Sequence, residues 1–106
     1  MRQPSNAVFI SYRRDVGGMI AMALHQHLTE HGLDTFYDIE SIRAGQFDTI
    51  ILSQIAARPY FLLVLTPGTL ERCVEPTDWL RREIEQALKT QRVIVCLLPW
   101  RPFRVS

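Results

Sequence analysis

Short apolar runs alternate along the chain with longer stretches whose apolar residues recur every three or four positions. Residues 7–10 are continuously apolar and predict a first strand. Between 18 and 31, Ile20, Ala23, Leu24 and Leu28 share one face of a helix, and Gly32 supplies its stop. Residues 33–37 predict a second strand, with Asp34 marking it as an edge. Helical spacing returns over 46–57 with Phe47, Ile50, Ile51, Gln54 and Ile55. Residues 60–65 are apolar throughout and predict a central third strand, ended by Thr66-Pro67-Gly68. A third helix is expected over 77–90, capped by Thr77 or Asp78, with Leu80, Ile84, Ala87 and Leu88 as its buried stripe and Glu85–Lys89 as an i,i+4 pair. Residues 93–98 predict a fourth strand, in which Cys96 reads as a small buried apolar side chain.

Strands joined through helices run parallel, with right-handed crossovers. The expected fold is therefore α/β: a flavodoxin-like open parallel sheet with helices on both faces. Such a sheet usually continues into a fifth strand and a last helix, and residues 100–106 carry no helical pattern. We expect one domain over residues 1–106, C-terminally incomplete and part of a longer protein.

Composition narrows the function classes. A net charge of +1 leaves no basic field for nucleic acid or an anionic membrane. No apolar run is long enough to span a bilayer, and the polar start of the chain lacks a signal-peptide core. Two cysteines without metal or disulfide spacing fit a reducing, cytoplasmic setting. His27 and His31 stand four apart, but no third ligand accompanies them, so no metal site is expected. Gly17-Gly18 belongs to no phosphate-loop pattern and reads as the turn into the first helix. Ser11 lacks the G-x-S-x-G context of a hydrolase elbow.

In an open α/β sheet, ligands sit beyond the carboxyl ends of the strands. Those ends carry Ser11-Tyr12-Arg13-Arg14, the stretch from Asp38 to Gly45, and the segment from Thr66 into the helix bearing Trp79 and Glu83. Arginines, carboxylates and aromatics thus converge on one edge. Helical geometry puts Glu83 about 60° from Leu80, on the margin of the apolar stripe, with Trp79 one turn earlier. A carboxylate so placed is part-desolvated, which suits catalysis, although a solvated glutamate paired with Arg81 or Arg82 would occupy the same position.

These segments resemble the motifs of the TIR (Toll/interleukin-1 receptor) domains, bacterial ones especially. Val8-Phe9-Ile10-Ser11-Tyr12-Arg13-Arg14 resembles the family's opening motif. Phe36-Tyr37-Asp38-Ile39-Glu40 with Ala44-Gly45-Gln46-Phe47 resembles its BB loop, and residues 61–68 its third strand and exit. Asp78-Trp79-Leu80-Arg81-Arg82-Glu83-Ile84 resembles the helix that carries the catalytic glutamate of NAD-cleaving members. The resemblance implies an NAD⁺ glycohydrolase with Glu83 as catalytic residue. It implies that Tyr12, Arg13, Arg14, Asp38, Phe47 and Trp79 line the NAD⁺ site, with NAD⁺ as substrate and no cofactor or metal. It further implies self-assembly, as a homo-oligomer or filament, through the loop from Asp38 to Phe47. By the same resemblance the chain would be the effector of an anti-phage defence system, coupled to a fused or associated sensor. The alternative within the family is a non-catalytic adaptor acting by TIR–TIR association, though adaptors commonly lack the glutamate and tryptophan present here. A phosphoacceptor receiver domain would need acidic residues where Arg13-Arg14 and Thr66-Pro67 stand.

Overall fold

The computed structural model describes residues 6–37, 46–66 and 68–98, and only the backbone of residues 14–16 and 46–48. Four parallel strands, β1 (Ala7–Ser11), β2 (Asp34–Phe36), β3 (Tyr60–Val64) and β4 (Val93–Leu97), form one sheet in the order β2-β1-β3-β4. Between them run α1 (Arg14–Glu30), α2 (Gln46–Ala57) and α3 (Trp79–Lys89), with a 3₁₀ turn at Glu71–Val74 before α3. The chain leaves β1 for β2 on one side and later returns to β3 on the other. The carboxyl ends of β1 and β3 therefore flank the topological switch point.

The two-residue period of the strands sorts the core into two layers. Phe9, Phe61 and Leu63 face one side, where Ile51 and Ile55 of α2 and Leu80 and Ala87 of α3 cover them. Val8, Ile10 and Val64 face the other, against Ala21 and the half-buried Leu24 and Leu28 of α1. Phe9 pairs in register with both Phe36 and Phe61, and the rings stack at 5.5 and 5.8 Å. This row clamps three strands at one level, each fully buried ring contributing about 1.5–3 kcal/mol of transfer free energy.

Four local expectations need correction. First, α1 begins at Arg14 rather than near Gly18, so Gly17 lies inside the helix instead of in a turn. A Cβ on Gly17 would sit 3.4 Å from Tyr12 Cβ, so the glycine serves the close approach of α1 to the end of β1. Second, the buried stripe of α3 is Leu80, Glu83 and Ala87, and Leu88 is exposed. Leu80 lies between Glu83, about 60° to one side, and Leu88, about 80° to the other, and the helix has rolled toward Glu83. Third, the ion pair on α3 joins Glu85 to Arg81 at 2.9 Å.

Fourth, Cys96 is exposed rather than buried, as are Val93 and Val95: among the described residues β4 is the edge strand beyond β3, and the helices pack mainly on the strands inside it. Apolar composition makes a run fit for burial but does not supply the element that buries it. Residues 99–106 lie outside the described residues.

Candidate active site

Ser11 is the last residue of β1, and the strand alternation turns it to the same side as Phe9, toward α3. There its hydroxyl donates a 2.6 Å hydrogen bond to Glu83 Oε1, and both residues are buried, Ser11 at 1% and Glu83 at 5% exposure. Short O–H···O⁻ bonds of this kind are about twice as strong as neutral ones. The carboxylate thus stands on the packed face of α3, at the switch-point end of the sheet. A surface glutamate paired with Arg81 or Arg82 is not what the fold contains: Arg81 binds Glu85, and the Arg82 guanidinium lies 4.8 Å over the Trp79 ring.

The helix that delivers Glu83 is fixed at its start. Asp78 is the N-cap and accepts from the Arg81 backbone N–H at 3.0 Å. It also receives Arg13 in a bidentate pair, at 2.6 and 2.9 Å, with side-chain exposures of 8% and 10%. Arg13 donates further to the Thr69 carbonyl, from Nε at 3.0 Å and a terminal nitrogen at 2.8 Å. Thr69 is knotted to the exit of β3: its hydroxyl donates to the Thr66 carbonyl at 2.6 Å and accepts the Thr66 N–H at 2.7 Å.

Partial burial pushes the Asp78 carboxyl up, but the hydrogen bonds from Arg13 and Arg81 and the Arg13 charge outweigh it and hold it below the ordinary value. Burial and the neighbouring Asp78 push the Cys73 thiol up.

The remaining expected site residues divide. Trp79 is half-buried one turn before Glu83, and its indole N–H is a buried donor with no hydrogen-bond partner among the described residues. Buried polar atoms are nearly always satisfied, so this donor is notable beside a candidate site. Tyr12 turns the other way from Ser11, packing on the α1 layer with its ring 6.0 Å from Tyr37. Arg14 and Phe47 are described by backbone alone, in the first turns of α1 and α2, and Asp38 lies outside the described residues. His27 and His31 are exposed, with ring centroids 4.4 Å apart.

Two interactions escaped the sequence reading, Ser11 with Glu83 and Arg13 with Asp78. Ser11 carried a signal: counted in twos from Phe9, it is a polar residue at an inward position. The Arg13–Asp78 pair carried none beyond the capping preference of Asp78, since nothing local links residues so far apart.

Among solved structures, the TIR domain of the Toll-related receptor TRR-2 of Hydra magnipapillata superposes with a TM-score of 0.66 at 21% identity, over 93% of this chain and 74% of that one. The TIR domains of the activated Roq1 resistosome give 0.67 at 20% identity, over 87% and 56%. These likenesses concern the fold. In sequence, the chain is 40% identical over 94 residues to the NAD(+) hydrolase sarm1 of Drosophila melanogaster, covering 86% of this chain and 7% of that protein. It is 37% identical over 91 residues to the NAD(+) hydrolase tir-1 of Caenorhabditis elegans and to the NAD(+) hydrolase SARM1 of Danio rerio, covering 83% of this chain and 9% and 13% of theirs. The chain thus corresponds to a small part of each of these relatives. The TIR domain family model matches residues 8–104, nearly the whole length, and on that match the chain belongs to the TIR domain family.

Proposed function

We propose that this chain cleaves the bond between nicotinamide and ribose in NAD⁺, with Glu83 as the carboxylate at the centre of the reaction. The observation that carries this reading is the burial of Glu83 on the packed face of α3, tied to Ser11 at the switch-point end of the sheet. Glutamate is seldom buried on a packed face, which makes its place between Leu80 and Ala87 a candidate for function rather than for packing. Relatives 37–40% identical that are named NAD(+) hydrolases support the same reading.

The chemistry asks little of the protein. Nicotinamide leaves a pyridinium as a neutral molecule, so no general acid is needed, unlike the two-carboxylate glycosidases. What remains is to stabilise an oxocarbenium-like ribose, and one negative charge in a water-poor site does this. Trp79 or Phe47 offers an aromatic surface for a base, while Arg14 and Asp38 complete the wall by family resemblance, with Tyr12 reaching it only from the α1 side of the sheet edge. Water as acceptor gives ADP-ribose, and attack by the adenine gives a cyclic product. NAD⁺ is the substrate, and no cofactor or metal enters the scheme. The loop from Asp38 to Phe47 doubles as the contact by which copies assemble and become active. On the same resemblance the chain serves as the effector of a sensor in a cytoplasmic bacterial antiviral system. No helix among the described residues is long and apolar enough to cross a membrane.

The test is nicotinamide release from NAD⁺ at high protein concentration with a crowding agent, with Glu83→Gln as control. Release that the substitution abolishes supports the reading. No release from folded, assembled protein moves the chain to the adaptor class.

A further inference from the structure

We infer that Arg13 is a positioning residue of the proposed site: its guanidinium locks the end of β1 to the first turn of α3 and so fixes where Glu83 stands. The inference rests on the NAD-cleaving reading and gives Arg13 a task other than meeting the substrate's phosphates.

Two rungs join the same two segments. Ser11 meets Glu83, and two residues further along the chain Arg13 meets Asp78, five residues earlier on α3. An extended dipeptide spans about 7 Å, and five residues of helix rise about 7.5 Å. The rungs are therefore matched in spacing, and one cannot move without straining the other. The upper rung also holds the Thr69 carbonyl, and Thr69 is knotted to Thr66 at the exit of β3. One guanidinium thereby fastens three segments around the switch point: the end of β1, the β3–α3 connection and the cap of α3.

A phosphate that took over Arg13 would compete with both Asp78 oxygens and the Thr69 carbonyl and weaken the countercharge of the helix cap. The Arg13 side chain is thus committed to protein partners at both ends of its fork. A lysine could not hold the arrangement, since it presents a point charge rather than a planar fork.

The experiment compares Arg13→Lys, Asp78→Asn and the double variant in kcat and KM. Two substrates are used: NAD⁺, and nicotinamide riboside, which has the same scissile bond and no phosphate. Amide hydrogen exchange at Arg81, Arg82 and Glu83 is measured alongside. A positioning role predicts a fall in kcat of up to about a hundredfold, the scale of an ångström-sized misplacement. The loss should be the same factor on both substrates, with KM little changed. The double variant should be no worse than the poorer single one, because both break one rung, and exchange should accelerate at the three amides. A rise in KM confined to NAD⁺, with additive losses and unchanged exchange, would overturn the inference and make Arg13 a phosphate contact. If the unaltered chain cleaves neither substrate, the NAD-cleaving reading fails by itself. Exchange then decides the lock: acceleration in Arg13→Lys upholds it, and unchanged protection overturns it.

Discussion

Replacing Ser11 by alanine tests whether the Glu83 carboxylate is as desolvated as its geometry implies. The substitution deletes one oxygen and one 2.6 Å hydrogen bond, from a site where donor and acceptor are at 1% and 5% exposure. A hydrogen bond to a charged group is worth about 1.5–3 kcal/mol, so Ser11→Ala should destabilise the fold by about 2 kcal/mol. Against a total stability of roughly 5–15 kcal/mol this is a large fraction. With a urea m-value of about 1–3 kcal/mol/M it moves the midpoint by about 1 M.

Combining Ser11→Ala with Glu83→Leu removes both members of the pair and restores an apolar stripe from Leu80 to Ala87. Swapping a buried polar pair for apolar groups is often neutral or stabilising, so the double variant should recover part of the loss seen in Ser11→Ala, with no catalysis. Equilibrium urea denaturation followed by tryptophan fluorescence and far-ultraviolet circular dichroism measures all three proteins. A cost for Ser11→Ala below about 0.5 kcal/mol, the range of ordinary surface changes, would mean that water reaches the pair. A double variant no better than Ser11→Ala would mean that the carboxylate is no burden to the fold.

Other consequences are as direct. Asp78→Ala removes a helix cap and the countercharge of a buried arginine and should cost about 3 kcal/mol, whereas Asp78→Asn keeps the cap and should fall between it and the parent. Because the folded-state value of Asp78 lies below its ordinary 3.8, its contribution is complete above that pH and drains away as pH falls below it. An acid unfolding curve should show this phase, and Asp78→Asn should lack it. Alkylation at neutral pH should reach the exposed Cys96 well before Cys73, whose thiol is held protonated by burial and by Asp78; peptide mapping at short times reads the order. Gln91, just past α3, has φ of 60°, and Gln91→Gly should raise stability by about 0.5–1 kcal/mol in thermal unfolding.

Period and punctuation made most of the fold legible. The 46–57 helix is found with those bounds, and the central third strand and the edge second strand appear where the alternation put them. Errors arose where packing rather than pattern decides. The roll of α3 could not be read from its own residues, because Leu88 and Glu83 flank Leu80 about equally and the sheet chooses between them. The first turn of α1 was hidden by Gly17, whose small size answers to Tyr12 across the gap. The expected burial of Cys96 failed for a different reason, since exposure depends on neighbours that the strand's own composition does not name. As for the candidate site, Glu83 stood out through its motif. Its donor Ser11 lies 72 residues away and has meaning only once the strand and helix are side by side.

The parallel sheet has a consequence for the chain's birth. β1 is complete at residue 11, but the partner that buries its other side, β3, ends only at residue 64. No hairpin can shelter Ala-Val-Phe-Ile meanwhile. At a synthesis rate of about 5–20 residues per second, this run waits roughly 3–10 s without its central neighbour, longer while β3 clears the ribosome. The most buried strand of the sheet is thus the first made, and its central side is the later of the two to be paired, so the nascent protein depends during that interval on whatever shields bare strands in its cell.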